Sequence, residues 1–295
     1  MLAIDLGVFN RKAHEVGLKE ALVWSVVWTV VALLFNGAVF LYMGPERGLE
    51  FFTGYVIERS LSFDNLFVFV LIFSYFGVPR QYHHRALFWG VVGALVTRAA
   101  FIAAGAALVV RFEWILYIFG AILVYSGWKM LKDKDVEVHP DRNLVIRAAR
   151  RLFPVSTEFG HGRFFLRREG RLFLTPLFLV LITIETTDIV FAVDSIPAVF
   201  GVTHDPFIAF TSNIFAILGL RASYFLLESI LKTFKYLSHG LSVVLIFIGL
   251  KMLAADLVHI PIGTSLGIVM GVLAFAIGAS LVSERRDRNR SRNAR

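Results

Sequence analysis

No cysteine occurs anywhere in the sequence, which excludes disulfide staples and thiolate metal ligands and leaves the redox compartment unmarked. Charge is scarce too. Only 18% of residues are Asp, Glu, Lys or Arg, 57% are hydrophobic, and the mean hydropathy is +0.70. Soluble domains carry about 25% charged residues, so this balance points away from a soluble protein. No stretch alternates apolar with polar residues over about ten positions, which excludes a membrane β-barrel. A nucleotide-binding motif is also absent, so ATP-driven pumping would need a partner. The opening MLAIDLGVFNRKAHE lacks a basic leader, an apolar core and a small-residue cleavage site, so no cleavable signal is expected.

What is present is apolar and long. Runs recur at Ala21–Met43, Phe51–Gly77, Ala86–Val110, Trp114–Leu131, Leu172–Phe200, Phe207–Ile230, Leu237–Leu257 and Gly263–Val282. Each reaches the roughly 20 residues that span a bilayer, which predicts an all-α, polytopic transmembrane bundle of about eight spans. The net charge of +8 does not mark a nucleic-acid binder, because 23 of the 30 Lys and Arg fall in alternate connecting segments and the two ends of the chain. By the positive-inside rule those segments are cytoplasmic, both termini included, in an inner (plasma) membrane. The basic tail RRDRNRSRNAR reads either as an anchor to anionic lipid or as a solvated end.

The second half echoes the first. Glu58, Asp64 and Asn65 are matched by Asp188, Asp194 and Ser195, Arg98 by Arg221, and YSGWKML by IGLKML, at offsets running from 130 down to 122. Each unit holds three spans, and three is odd, so the two units enter the membrane from opposite sides. The expected organisation is therefore an N-terminal segment with the first span (1–48), repeat one (49–131), a basic cytosolic loop (132–171), inverted repeat two (172–257), and a last span with the basic tail (258–295). Inverted repeats place a binding site near the midplane, often on interrupted helices. Interruptions are expected at Ser60 to Asp64 and in the turn before Pro197.

Five acids lie mid-membrane: Glu58, Asp64, Glu185, Asp188 and Asp194. Leaving them ionised and unpaired would cost on the order of 15 kcal/mol on insertion scales. Arg59, Arg98 and Arg221 are too few to neutralise all five by pairing, so a bound cation is the favoured offset over a purely structural ion-pair network. The nearby donors, Asn65, Ser62, Ser195, Thr187 and Asn213 among them, offer oxygen ligands, and all eight histidines fall in loops or at helix ends. Oxygen-only sites suit hard divalent ions such as Mn²⁺, Mg²⁺ and Ca²⁺. Arg98 and Arg221 serve structure or replace the departing ion in an empty carrier.

At ERSLSFDN, ETTDIVFAVDSIPAVF, TSNIFAILGLR, WILYIFG and IGLKML the chain resembles the TerC family of integral membrane proteins, named for tellurium resistance, and its alkali-inducible Alx-like branch. The resemblance covers nearly the whole chain. It implies an architecture related to the LysE-type exporters and a link to Mn²⁺ efflux, with Glu58, Asp64, Asn65, Glu185, Asp188, Asp194 and Ser195 as the transport site. It departs at one place: Alx-like members usually carry a further helix whose inner end reads like MLAIDL, here the first six residues. The expected function is export of a divalent metal, Mn²⁺ first, by alternating access with proton exchange as a driving force. The expected protein is no enzyme, holds no resident cofactor and binds no nucleic acid; its partners are the metal it moves and the bilayer. The rivals are a membrane scaffold that helps insert or metallate other proteins, and a LysE-like exporter of an organic cation.

Overall fold

A backbone that meets lipid has no water to hydrogen-bond with and must satisfy its own polar groups. The computed structural model describes residues 18–112, 114–132, 144–168, 171–230, 236–258 and 260–293, and nearly all of them meet that demand as helix. Helices α1 (Leu18–Met43), α2 (Pro45–Tyr75), α3 (Arg80–Arg111) and α4 (Ile115–Lys132) come first. A small cap follows, made of α5 (Leu144–Leu152) and the antiparallel strands β1 (Phe165–Arg168) and β2 (Arg171–Leu174). The second set is α6 (Pro176–Phe200), α7 (Pro206–Leu218), α8 (Leu220–Ile230), α9 (Leu237–Leu253) and α10 (Ile262–Asn293).

Five of these helices are long and apolar enough to cross a bilayer individually: α1, α3, α4, α6 and α10. The three other expected spans fall on α2, whose 31 residues carry the charges of Glu58, Arg59 and Asp64, on the consecutive pair α7 and α8, and on the 17-residue α9. The chain is an all-α polytopic membrane protein. The span expected from Leu172 begins instead at Pro176, because Leu172 and Phe173 pair with Arg167 and Leu166 in the hairpin. One residue separates α1 from α2. Gly44 takes the left-handed conformation there (φ 93°), and Pro45 sets the first turn of α2.

The expected interruptions are not where the helices break. α2 runs unbroken through Ser60 to Asp64, and the Ser60 hydroxyl donates back to the Val56 carbonyl at 2.7 Å. α6 runs on past Pro197, whose carbonyl still accepts from Gly201 N–H at 2.9 Å. The break comes at Gly219, between α7 and α8. There the Arg59 guanidinium from α2 donates to the Ala216 carbonyl at 3.0 Å and to Ser223 Oγ at 2.6 Å. A cation at a helix C-terminus satisfies freed carbonyls and opposes the negative end of the dipole. Gly219 leaves room for it, since a Cβ there would collide with the guanidinium. Arg59→Met is therefore expected to destabilise the protein by about 1–3 kcal/mol, the penalty for buried acceptors left unpaired, read as a lower thermal midpoint in detergent.

Small residues let the helices pack closely. α3 and α6 run parallel, with Gly90 against Ile184 and Gly105 against Phe200, and α2 and α7 run parallel, with Gly54 against Ser212. α4 and α9 run antiparallel. A Cβ on Gly249 would sit 2.6 Å from the Gly120 carbonyl oxygen, and one on Gly127 would sit 2.7 Å from that of Ser242. Backbone cannot swing aside as a side-chain tip can, so Gly249→Leu is expected to cost about 3 kcal/mol or more by overpacking. Its thermal midpoint should fall further than that of Gly271→Leu on α10, where nothing lies within 4 Å of the added atom. The outer apolar surface is left to lipid: on α1, Leu34 and Leu41 are 70% and 85% exposed.

Candidate functional site

Three helices place charge at their centres. Asp188 lies midway along α6, Glu58 near the middle of α2 and Arg98 just past the middle of α3. The parallel packing of α3 on α6 brings Arg98 level with Asp188. Arg98 Nη2 meets Asp188 Oδ1 at 3.1 Å and Nε meets Oδ2 at 3.4 Å, a two-pronged grip on one carboxylate. Its Nη1 donates to Glu58 Oε1 and, at 3.1 Å, to Ser195 Oγ. Glu58 is 0% exposed, Arg98 1%, Asp188 3% and Ser195 2%. One guanidinium thus bridges two carboxylates, one from each expected repeat, that the sequence pairs with each other.

Polar atoms without partners lie on the same helices. Glu58, Ser62 and Asn65 share one face of α2 at i, i+4 and i+7. Glu58 Oε2, Ser62 Oγ and Asn65 Nδ2 are buried with no hydrogen-bond partner among the described residues. On α7, both side-chain amide atoms of Asn213 are in the same condition. Asn213 stands at the level bracketed by Gly54 against Ser212 and Arg59 against Ala216. Unsatisfied buried polar atoms are uncommon and costly, about 1–3 kcal/mol each. A row of oxygens and amides with spare capacity beside two carboxylates is suited to a polar or cationic guest.

Of the other expected residues that are described, Asp194 and Thr187 bond elsewhere, while Glu185 lies beside the centre and acts on the charge of Asp188. Glu185, half-buried one turn before Asp188, fills the space over Gly93, where a Cβ would collide with its carboxylate. Asp194, also half-buried, accepts from Ser126 Oγ on α4 at 2.5 Å. The six-residue spacing explains the split: on the unbroken α6 it turns Asp194 about 240° from Asp188. Thr187 is engaged with its own helix, donating to the Thr183 carbonyl at 2.7 Å. The side chains of Asp64 and Arg221 lie outside the described residues. Among the described residues no three His, Asp or Glu side chains form a ready-made metal cage, so the centre holds two carboxylates on an arginine.

Residues that the sequence did not single out tie the ends of the bundle. At the start of α2, Arg47 holds Glu50 at 2.8 Å, Glu50 accepts from Thr203 Oγ1 at 2.6 Å, and Arg47 Nε approaches Asp205 at 3.8 Å. At the opposite end, His83 Nε2 donates to the Val78 carbonyl at 2.9 Å and its Nδ1 meets Tyr224 Oη at 3.1 Å, the ring stacked on Phe73. Ser126 could have been suspected from its place in the repeated YSGWKML. The others carry no motif.

Comparison with known proteins agrees with this architecture. The model of the family described as "Integral membrane protein TerC family" matches residues 43–288. An "Uncharacterized membrane protein STKORF319" of Myxococcus xanthus is 50% identical, the match covering 97% of this chain and 89% of that protein. The Escherichia coli K12 protein described as "Putative membrane-bound redox modulator Alx" is 48% identical over 98% of this chain and 94% of its own length. An "Uncharacterized membrane protein" of Rickettsia bellii is 38% identical over 96% and 93%. No solved structure gives a significant match.

Proposed function

The chain belongs to the TerC family of integral membrane proteins, and from that premise we propose that it exports a divalent metal cation, Mn²⁺ first, from the cytosol across the inner membrane. The observation that carries the proposal is the convergence of Glu58 and Asp188, buried at mid-helix, on the single guanidinium of Arg98. Arg98 stands in for the cargo: it holds the two carboxylates together in the unloaded carrier, and an entering cation exchanges with it. Glu58 and Asp188 then supply charge, and Ser195, Asn65, Ser62 and Asn213 supply neutral oxygens. Hard oxygen donors of this kind suit Mn²⁺, Mg²⁺ or Ca²⁺. Proton return through the same carboxylates drives release.

Alternating access requires two units related by inversion, and the packing supports that relation. In inverted units α3 runs parallel to α6, α2 parallel to α7, and α4 antiparallel to α9, which is the observed set of directions. The offset of 122 carries the contact of Gly120 with Gly249 onto Ser242 with Gly127, also a contact. Offsets of 130 and 122 carry Gly54 with Ser212 onto Ile184 with Gly90, again a contact. The distribution of Lys and Arg supports cytoplasmic termini.

One observation favours a second reading. An arginine bridging two buried carboxylates is also how a purely structural ion network looks, as a membrane scaffold would have it. Cells lacking their own Mn²⁺ exporter separate the two. Asp188→Asn at unchanged protein level abolishes Mn²⁺ tolerance in a transporter and leaves it intact in a scaffold. Lysine offered against Mn²⁺ to the protein in proteoliposomes separates the metal from an organic cation. The redox role in the printed name of the Escherichia coli relative has no thiol–disulfide couple to work through here, because the chain has no cysteine.

A further inference from the structure

The cap between the two sets of helices has no part in the transport site, yet its composition is extreme. Residues 144–174 hold seven arginines against two glutamates. α5 turns Ile146 inward onto Leu174 of β2 and Leu179 of α6, with Phe178 and Ile182 packed on the same cluster. The hairpin is fixed at the same level: the Phe165 ring lies 4.7 Å from that of Phe178, and Arg85 at the start of α3 stands 5.5 Å over the Phe164 ring. Leu179 and Ile182 belong to the first two turns of a membrane-crossing helix. An element packed on them sits where headgroups give way to acyl chains.

The exposed side of the cap combines the two features of an interfacial element. On α5 Arg147 and Arg151 are exposed, and next to them in the chain Leu152 and Phe153 are 75% and 41% exposed; Arg167 and Arg171 are exposed too, one on each face of the hairpin. Arginines reach phosphate with paired N–H donors, and apolar side chains at this depth have acyl chains within reach. A free-standing protein or nucleic-acid partner would have to be brought to this face, whereas the bilayer is already there. We propose that α5 and the hairpin dock on the anionic phospholipid headgroups of the chain's own membrane. The proposal is independent of what the carrier transports and of which way the cap faces.

The cysteine-free chain allows a clean test. Leu152→Cys in the full-length protein is labelled with an environment-sensitive fluorophore and reconstituted into vesicles of phosphatidylcholine alone or with increasing phosphatidylglycerol. The expected result is emission that shifts to the blue, and quenching by a lipid-borne quencher that rises several-fold, as phosphatidylglycerol is added. High salt should reverse both, because screening shortens the reach of the arginines to about 3 Å at 1 M. Arg147→Gln with Arg151→Gln should raise the phosphatidylglycerol needed for the half-maximal response several-fold. A second label at Leu172→Cys reports on the hairpin, and the salt titration needs no arginine substitution, so a poorly folding variant does not remove the test. Equal quenching with and without phosphatidylglycerol overturns the proposal. So does a response indifferent both to salt and to loss of the arginines, which would mark apolar contact alone, or one abolished by free phosphate beyond its ionic strength, which would mark a soluble anion site.

Discussion

Arg98→Ala is expected to yield a protein that inserts but falls apart on detergent extraction. Removing one partner of a buried ion pair leaves the other charge uncompensated, at about 3–5 kcal/mol, and here two carboxylates lose the same partner. The comparison that makes the result interpretable is the triple substitution Glu58→Gln, Asp188→Asn, Arg98→Met. Replacing a whole buried ion network with neutral groups of similar size is often neutral or stabilising, so the triple variant should recover most of the lost thermal stability. Transport should not recover with it. Arg98→Lys should fall between, since an ammonium has no planar fork with which to grip Asp188 at two points while reaching Glu58. An Arg98→Ala protein as stable as the parent would mean that the guanidinium is not the clamp at the centre of this fold.

Glu58→Gln and Asp188→Asn are expected to reduce Mn²⁺ transport by at least about 100-fold each, since even the outer partners of metal ligands are worth 10–100-fold. The effects should be far from additive, because each substitution disables the same two-carboxylate centre. Each should leave more folded protein than Arg98→Ala does, because one carboxylate still pairs with the guanidinium. Ser195→Ala removes a hydroxyl from the same centre and not a charge, so its loss should be smaller. Asp194→Asn removes the charge from a hydrogen bond accepted from Ser126 outside the centre, and its effect should separate from that of Asp188→Asn in a double-mutant cycle. Protein level in the membrane and flux per molecule, measured on the same preparations, decide between these outcomes.

The parts legible in the sequence are those that depend on composition and local spacing. Apolar runs mark the spans because lipid imposes one length and one polarity on every crossing helix. Glu58, Arg98, Asp188 and Ser195 stand out because charge in such a run is costly and the two halves repeat it. The Alx-like TerC resemblance rested on motifs that hold Glu58, Asp188 and Ser195, and the family match and the Alx-named relatives bear it out. What failed depended on the partner across the fold. The six-position spacing of Glu58 and Asp64 suggested an unwound turn only if both acids had to reach one point. On α6 the equivalent pair is divided between Arg98 and Ser126, so no unwinding is needed. The real break at Gly219 needs Arg59 to cap it from a helix about 160 residues away, a pairing that no local pattern announces. The hairpin was likewise hidden, because Leu172 to Leu174 read as the apolar start of a span.

Flux of Mn²⁺ into proteoliposomes, with purified wild-type and Asp188→Asn proteins side by side, tests the central claim most directly. The account predicts saturable Mn²⁺ uptake by the wild type that exceeds lysine uptake and vanishes in Asp188→Asn. Equal Mn²⁺ uptake by the two proteins, or none above empty vesicles from a folded wild type, would contradict it.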